Sequence, residues 1–305
     1  MTGVRQKIFK MTRSLRLSVF VLAIIISGCA TINFGPSLGE LKEVTIEGEG
    51  PGKILLVNVD GVINNQKDKT FSGSTVGLGM VEKIRSIVEK AEKDEEIKAL
   101  LIKMNSPGGT VTASDIIFHL LKTYKENRKV RIYIQVMDLA ASGGYYIALA
   151  GDEIIAHPTS LIGSIGVIAL KVNLQELMTK VGVSWEIVKS GDKKDFMSPF
   201  RPLTKEERAL FQETIDRYYD RFVDLVVLNR DGLNVKEVRA LADGRVYNAH
   251  QALNNHLVDS IGYLKELIEH PIHVIEYCIF LTFLMLVQLF FLRSFYCFKL
   301  ANFIS

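Results

Sequence analysis

The sequence predicts an α/β fold with largely parallel, buried strands, on three observations. Short runs rich in β-branched residues recur through the middle of the chain, each bounded by turn residues. Between them lie stretches whose apolar residues repeat with the spacing of one helical face. The strand-like runs are almost continuously apolar, which is the pattern of strands covered on both faces rather than one.

The elements follow in order. "KILLVNVDGVI" (53–63), "IKALLIKMN" (97–105), "VRIYIQVM" (130–137), "EIIAHP" (153–158) and "VSWEIVKS" (183–190) read as strands. "MVEKIRSIVEKAEKD" places Met80, Ile84, Ile87, Val88 and Ala91 on one helical face. "ASDIIFHLLKTYKE" does the same with Ile116, Ile117, Leu120, Leu121 and Tyr124. The longest helix opens at "TKEE", where Thr204 and Glu207 have capping-box spacing. It continues through Leu210, Phe211, Ile215, Tyr218, Phe222, Leu225 and Val226. No internal repeat or low-complexity linker interrupts the series.

The ends read differently. The first 28 residues carry Arg5, Lys7, Lys10, Arg13 and Arg16 and no acid, followed by the apolar run Leu17 to Ile26 and "ISGC". A basic segment, a short apolar core and small residues make an export signal. The run is too short to span a bilayer, which takes about 20 residues. Cys29, directly after "ISG", resembles a bacterial lipoprotein box in which the cysteine is lipidated. An uncleaved anchor or an ordinary secretory signal is the alternative. Without the five cations the formal charge moves from +3 to −2, so the basic pI of 8.6 gives no argument for nucleic acid. No cysteine lies between Cys29 and Cys278, which leaves no disulfide framework or thiolate metal site there. "YCIFLTFLMLVQLFFL", Tyr277 to Leu292, is free of charge and precedes Arg293 and Lys299. It reads as a membrane segment with its basic end in the cytoplasm, or as the hydrophobic remnant of a disrupted or truncated frame. The chain thus divides into a signal segment (1–28), a linker (29–52), a folded domain (53–267) and a hydrophobic tail (271–305).

Ser142 lies among alanines and glycines in "DLAASGGYYIA", straight after a strand, where small neighbours leave a hydroxyl open to approach. A serine nucleophile needs a base. His157, in "AHPTS", and His119, His250 and His256 are the histidines of the body, and each reads as structural or solvent-facing. Sequence order leaves a Ser-His-Asp triad open, but no Gly-x-Ser-x-Gly elbow surrounds "AASGG". "VKSGDKKDFMSPFRPLT" offers Lys189, Lys193 and Lys194. A lysine base must be desolvated, so that its pKa falls from about 10.4 towards about 7–8. The string alone selects none of the three. "MNSPGGTVTASD" (104–115) ends a strand in Pro-Gly-Gly and leads into a helix, a place where backbone N–H groups can meet developing negative charge, although the string by itself reads equally as an ordinary strand-to-helix turn.

Together these strings resemble the signal peptide peptidase A family, also called protease IV, of bacterial membrane-bound serine peptidases. The resemblance covers roughly Lys53 to Leu264 and rests on "NSPGG" (105–109), "ASGGYYIA" (141–148), "GSIGV" (163–167), "SGDKKDFMSPFRPLTKEER" (190–208) and "ADGRVYNAHQAL" (242–253) with "LVDSIGYL". It implies a Clp protease/crotonase-like spiral of ββα units. Motif by motif it implies Ser142 as nucleophile, Lys194 as general base and Ser164 as the second serine that orients the lysine. It further implies Gly108, Gly109 and Gly143 as oxyanion donors. Neither metal nor organic cofactor is implied.

Short members of the family form rings in which serine and lysine come from adjacent subunits, and this chain carries one copy of each motif. The resemblance therefore implies a cell-envelope protein that self-associates, is held at a membrane and degrades hydrophobic peptides such as signal-peptide remnants. Ala249 and His256 stand where the family commonly has glycine. A crotonase-type acyl-CoA enzyme and a non-catalytic membrane scaffold of the same fold are the competing readings. Export, the serine in "AASGG" and the "KKD" lysine oppose the first; retention of Ser142, Lys194 and Ser164 together opposes the second.

Overall fold

Four parallel strands carry the core: β2 (Lys53–Asp60), β3 (Ile97–Ser106), β4 (Arg131–Ala141) and β5 (Glu153–Ala156). They belong to a computed structural model, which describes residues 41–48, 52–66, 78–264 and 273–279. Leu55, Val57 and Val59 of β2, Leu100, Ile102 and Met104 of β3, and Ile132, Ile134 and Val136 of β4 are all but solvent-free. Each such side chain contributes about 1.5–3 kcal/mol on burial. The connections are α1 (Met80–Ala91) between β2 and β3 and α2 (Val111–Arg128) between β3 and β4. α1 buries Ile84, Ile87, Val88 and Ala91; α2 buries Ile117, Leu121 and Tyr124. Both faces follow the expected helical spacing.

On the edge away from β3, β4 serves two partners. Tyr133–Val136 pair with β5, whereas Leu139–Ala141 pair with β6 (Leu161–Gly163), which is backed by antiparallel β7 (Val246–Asn248). The switch occurs as the side chains shrink to Ala140 and Ala141, and α3 (Gly143–Ala148) follows at once. After the short helix α4 (Gln175–Lys180), the long helix α5 (Lys205–Asn229) opens with the expected capping box between Thr204 and Glu207. Its buried apolar residues, Phe222, Val223 and Val226, lie in the second half, whereas Leu210 and Tyr218 are exposed.

The sheet extends past the expected domain limits. Leu41–Glu47, inside the expected linker, forms β1, and His273–Ile279 forms β9, giving the order β1-β9-β2-β3-β4-β5-β8 with β8 at Ser260–Ile261. The first three residues of the expected membrane segment, Tyr277 to Ile279, therefore end a strand. Their period is two: Ile275 and Tyr277 are buried, while Glu276 between them accepts a 2.7 Å hydrogen bond from Asn58 Nδ2. A second correction concerns "VSWEIVKS", which forms no strand. Its composition suits a strand, but no strand among the described residues pairs with it, and Val188 is fully exposed. The signal segment, Cys29 and Phe280 to Leu292 lie outside the described residues. Among the described residues no helix is long and apolar enough to cross a membrane.

Candidate active site

Two loops meet at the C-terminal ends of β3 and β4, where Ser106 pairs with Ala140. Open parallel sheets bind ligands at this end. The β4 loop is a single residue. Ser142 has φ 50° and ψ −120° between the last strand residue and the first helical one, so its backbone makes a sharp, strained strand-to-helix turn. This is the backbone of a nucleophile elbow without the Gly-x-Ser-x-Gly string whose absence argued against one. Ser142 N donates to Gly163 O at 2.8 Å, and its carbonyl accepts from Tyr146 N at 2.9 Å.

The β3 loop presses its glycines against this turn. Gly108 has φ +96°, and a Cβ there would stand 2.7 Å from Gly143 N and 2.8 Å from Ser142 Cβ. A Cβ on Gly143 would stand 2.2 Å from Ser114 Oγ and 3.2 Å from Gly109 N. The three expected oxyanion donors are thus brought together with Ser142, but they differ in what they offer. Gly108 N–H is already engaged, donating to Ser106 Oγ at 3.1 Å. The N–H groups of Gly109 and Gly143 meet no acceptor among the described residues. Gly108 contributes space and chain direction; the other two contribute donors.

Beside Ser142 lies a small, mostly apolar cavity walled by Val111, Tyr146, Val167, Tyr218 and Phe222. Tyr146 is anchored by a 2.5 Å hydrogen bond to Asp115 Oδ1, and Arg221 Nη2 donates to the same oxygen at 2.6 Å. Burial pushes the Asp115 carboxyl up, but the hydrogen bonds from Tyr146 and Arg221 outweigh it and leave it below the ordinary carboxylate value. Burial, followed by the bond to Asp115, drives the Tyr146 phenol well above its usual value, which keeps it neutral. Sequence reasoning passes over Ser106, Ser114 and Asp115. All three lie in "NSPGGTVTASD", and two serines flanking a glycine pair are the available signal.

Ser164 follows Gly163, the residue bonded to Ser142, and has φ 48°; its N–H donates to Arg245 O at 2.8 Å. The three lysines separate by their partners. Lys189 Nζ is ion-paired with Asp195 at 2.9 Å and Lys193 Nζ with Glu206 at 2.9 Å. The bond to Glu206 raises the Lys193 pKa, which is the wrong direction for a base. Lys194 is exposed, and its amine meets no hydrogen-bonding or ionic partner among the described residues, Ser142 included. It is not among the residues that wall the cavity at Ser142. His157 is engaged elsewhere, with Nδ1 2.9 Å from Thr159 Oγ1 and its ring edge-on to Tyr263. His119, His250 and His256 are exposed. Among the described residues no cluster of His, Cys, Asp and Glu could hold a metal.

The profile of peptidase family S49 matches residues 124–271, and that of Clp protease matches residues 63–162. A candidate signal peptide peptidase SppA of Enterococcus faecium is 36% identical over 247 residues, 80% of this chain and 70% of that protein. A candidate protease of Methanocaldococcus jannaschii is 32% identical over 246 residues, 81% of this chain and 77% of that protein. Protease 4 of Haemophilus influenzae is 33% identical over 236 residues, 77% of this chain but 37% of that longer relative.

Proposed function

Because this chain belongs to peptidase family S49, a family of serine peptidases, we propose that it is a membrane-held endopeptidase that cuts extended hydrophobic peptides, such as the remnants of cleaved signal peptides. Ser142 Oγ attacks the peptide carbonyl while the uncharged Lys194 amine takes its proton; the amine then passes that proton to the leaving nitrogen, and water releases the acyl group by the same route. The N–H groups of Gly109 and Gly143 receive the oxyanion, and Ser164 orients the lysine. The observation that carries this reading is the elbow conformation of Ser142 with two acceptor-free N–H groups beside it. The apolar wall of the adjoining cavity suits a small or apolar side chain. Attachment at Cys29 and placement in the cell envelope rest on the N-terminal sequence.

The lysine comes from a second copy of the chain. Two observations support this. Lys194 has no contact with Ser142 of its own chain, and residues 168–188 expose Ile168, Leu170, Val172, Val181 and Val188, an apolar surface that a ring of subunits would cover. The test mixes Ser142→Ala subunits with Lys194→Ala subunits and follows hydrolysis of a hydrophobic peptide. Each variant alone is inactive, and mixed assemblies regain activity. Absence of recovery despite proven subunit exchange overturns the shared site. A fully active Lys194→Ala enzyme overturns the dyad itself.

A further inference from the structure

Lys194 lies in the turn 191–198, outside any helix or strand. A long, exposed side chain on such a turn samples many positions, and placing its amine at each turnover costs ordering entropy. The structure contains a device that would reduce that cost. Asp195, the next residue, is nearly buried and accepts from Arg201 Nε and Nη2 at 2.8 Å each, and from Lys189 Nζ at 2.9 Å. The other edge of the same guanidinium donates to Glu207, from Nη1 at 2.8 Å and from Nη2 at 2.6 Å. Glu207 is 4% exposed and closes the capping box of α5, where it also accepts from Thr204 N at 2.9 Å. Lys171 Nζ ties the backbone of the same turn, donating to Phe196 O at 3.0 Å and Arg201 O at 2.8 Å.

We propose that Arg201 is a positioning residue for Lys194, fixing the lysine-bearing turn to the N-terminus of α5 through Asp195 on one side and Glu207 on the other. The inference rests on the reading of Lys194 as the base and adds to it the part that presents the amine. Only arginine has the geometry: a planar fork can bind two carboxylates along two edges, which a lysine ammonium cannot do. Arg201 and Lys189 balance Asp195 and Glu207 in charge, so the clamp is a neutral ion-paired unit. The same α5 walls the cavity at its own chain's Ser142 through Tyr218 and Phe222, so one helix carries the clamp for the lysine it presents and part of the pocket beside its own serine.

The experiment compares Arg201→Gln, Arg201→Lys and Glu207→Gln with Lys194→Ala in the full chain, reading kcat, KM, the pH profile of kcat/KM and the melting temperature. Arg201→Gln is expected to lower kcat about 100-fold, the scale of a reacting group misplaced by about 1 Å, with KM within about threefold. The acidic limb of its profile moves towards the pKa of free lysine, about 10.4, because the amine is no longer held where it loses its proton. Arg201→Lys restores little, since it lacks the fork. Glu207→Gln, which keeps an acceptor at the cap, falls about tenfold. It also serves as the test if Arg201→Gln does not fold. A folded Arg201→Gln or Glu207→Gln with wild-type kcat and an unmoved limb overturns the inference, as does a lowered melting temperature with the limb unmoved. Full activity in Lys194→Ala overturns the underlying dyad instead, so the two failures are told apart.

Discussion

Ser142 and Ser164 leave adjacent parallel strands side by side, each one residue beyond the Ala141–Gly163 pair, and both turn to positive φ, 50° and 48°. The ladder that ends β4 and β6 thus delivers two hydroxyl-bearing residues to one place, each at a positive φ. For a non-glycine residue such a conformation costs on the order of 1–3 kcal/mol, and it persists only where the surroundings enforce it. Ser142→Gly removes the strain together with the hydroxyl. It is expected to raise unfolding free energy by about 1 kcal/mol in urea titrations while hydrolysis falls by about 1,000-fold or more. Lower stability in Ser142→Gly would count against stored strain at the elbow.

Gly108 makes the opposite trade. A side chain there meets backbone and Ser142 Cβ within 2.9 Å and must also adopt φ +96°. Gly108→Ala should destabilise by about 2 kcal/mol and lower kcat/KM about 100-fold or more, because the elbow and the Gly143 N–H move together. Gly232→Ala is the control: it has φ +81° but open space around it, so it carries the backbone cost without the collision. Equal losses of activity in the two variants would show that the crowding is not what matters.

The central strands and helices are legible because their signals are local. β2 to β5 announce themselves by β-branched content, and α5 by "TKEE". β1 and β9 are not legible, since each becomes a strand only through pairing with the far end of the chain, Leu41 with Ile279. Tyr277 to Ile279 moreover carry the composition of a greasy tail. "VSWEIVKS" fails for the converse reason, having strand composition without a strand to pair with among the described residues. At the site, Ser142 is recognisable from its string, but its elbow is imposed by Gly108 and Ser114 packing against Gly143, which no local pattern encodes. The Asp195–Arg201–Glu207 clamp joins residues six apart in an irregular segment, a spacing with no period behind it.

His256 carries a backbone cost. The family resemblance implies a glycine at this turn, and the φ of His256 is 56°. Its carbonyl is held by Arg230 Nε at 2.8 Å, so the turn cannot relax freely. His256→Gly is expected to stabilise the chain by about 0.5–1 kcal/mol, the left-handed penalty less the added entropy of glycine in the unfolded state. Activity should not change, because the turn lies outside the site. A drop in melting temperature would refute this account of the turn.

The clamp also sets a pH dependence. Hydrogen bonds from Arg201 and from the Thr204 backbone hold the Glu207 carboxyl at about 2, down from 4.5. Asp195 is depressed further, first by Arg201 and then by Lys189. A carboxyl with a depressed folded pKa binds fewer protons folded than unfolded, so its contribution to stability is complete above about pH 4.5 and drains away as the pH falls towards 2. Unfolding free energy should be flat from neutral pH to about 5 and then decline, and Glu207→Gln should decline less steeply over the same window. Parallel curves for the two proteins would mean that the Arg201–Glu207 pair does not titrate as described.

The exposed arm makes the last prediction. Leu170 is 84% exposed and Val188 fully so, and neither is covered by its own chain. Apolar surface of this kind is expensive to leave in water, and burying it against another subunit would recover about 25 cal/mol for each Å² covered. An aspartate in such an interface would be buried without a partner, at a cost of several kcal/mol. Leu170→Asp combined with Val188→Asp should therefore weaken self-association at least about 100-fold, read by sedimentation as a shift towards monomer, while the monomer melts as before. If the amine of Lys194 is delivered from the neighbouring copy, peptide hydrolysis must fall with the assembled fraction and return when protein concentration is raised. A monomeric double variant that hydrolyses peptides at the wild-type rate would place the whole dyad in one chain and remove the shared site.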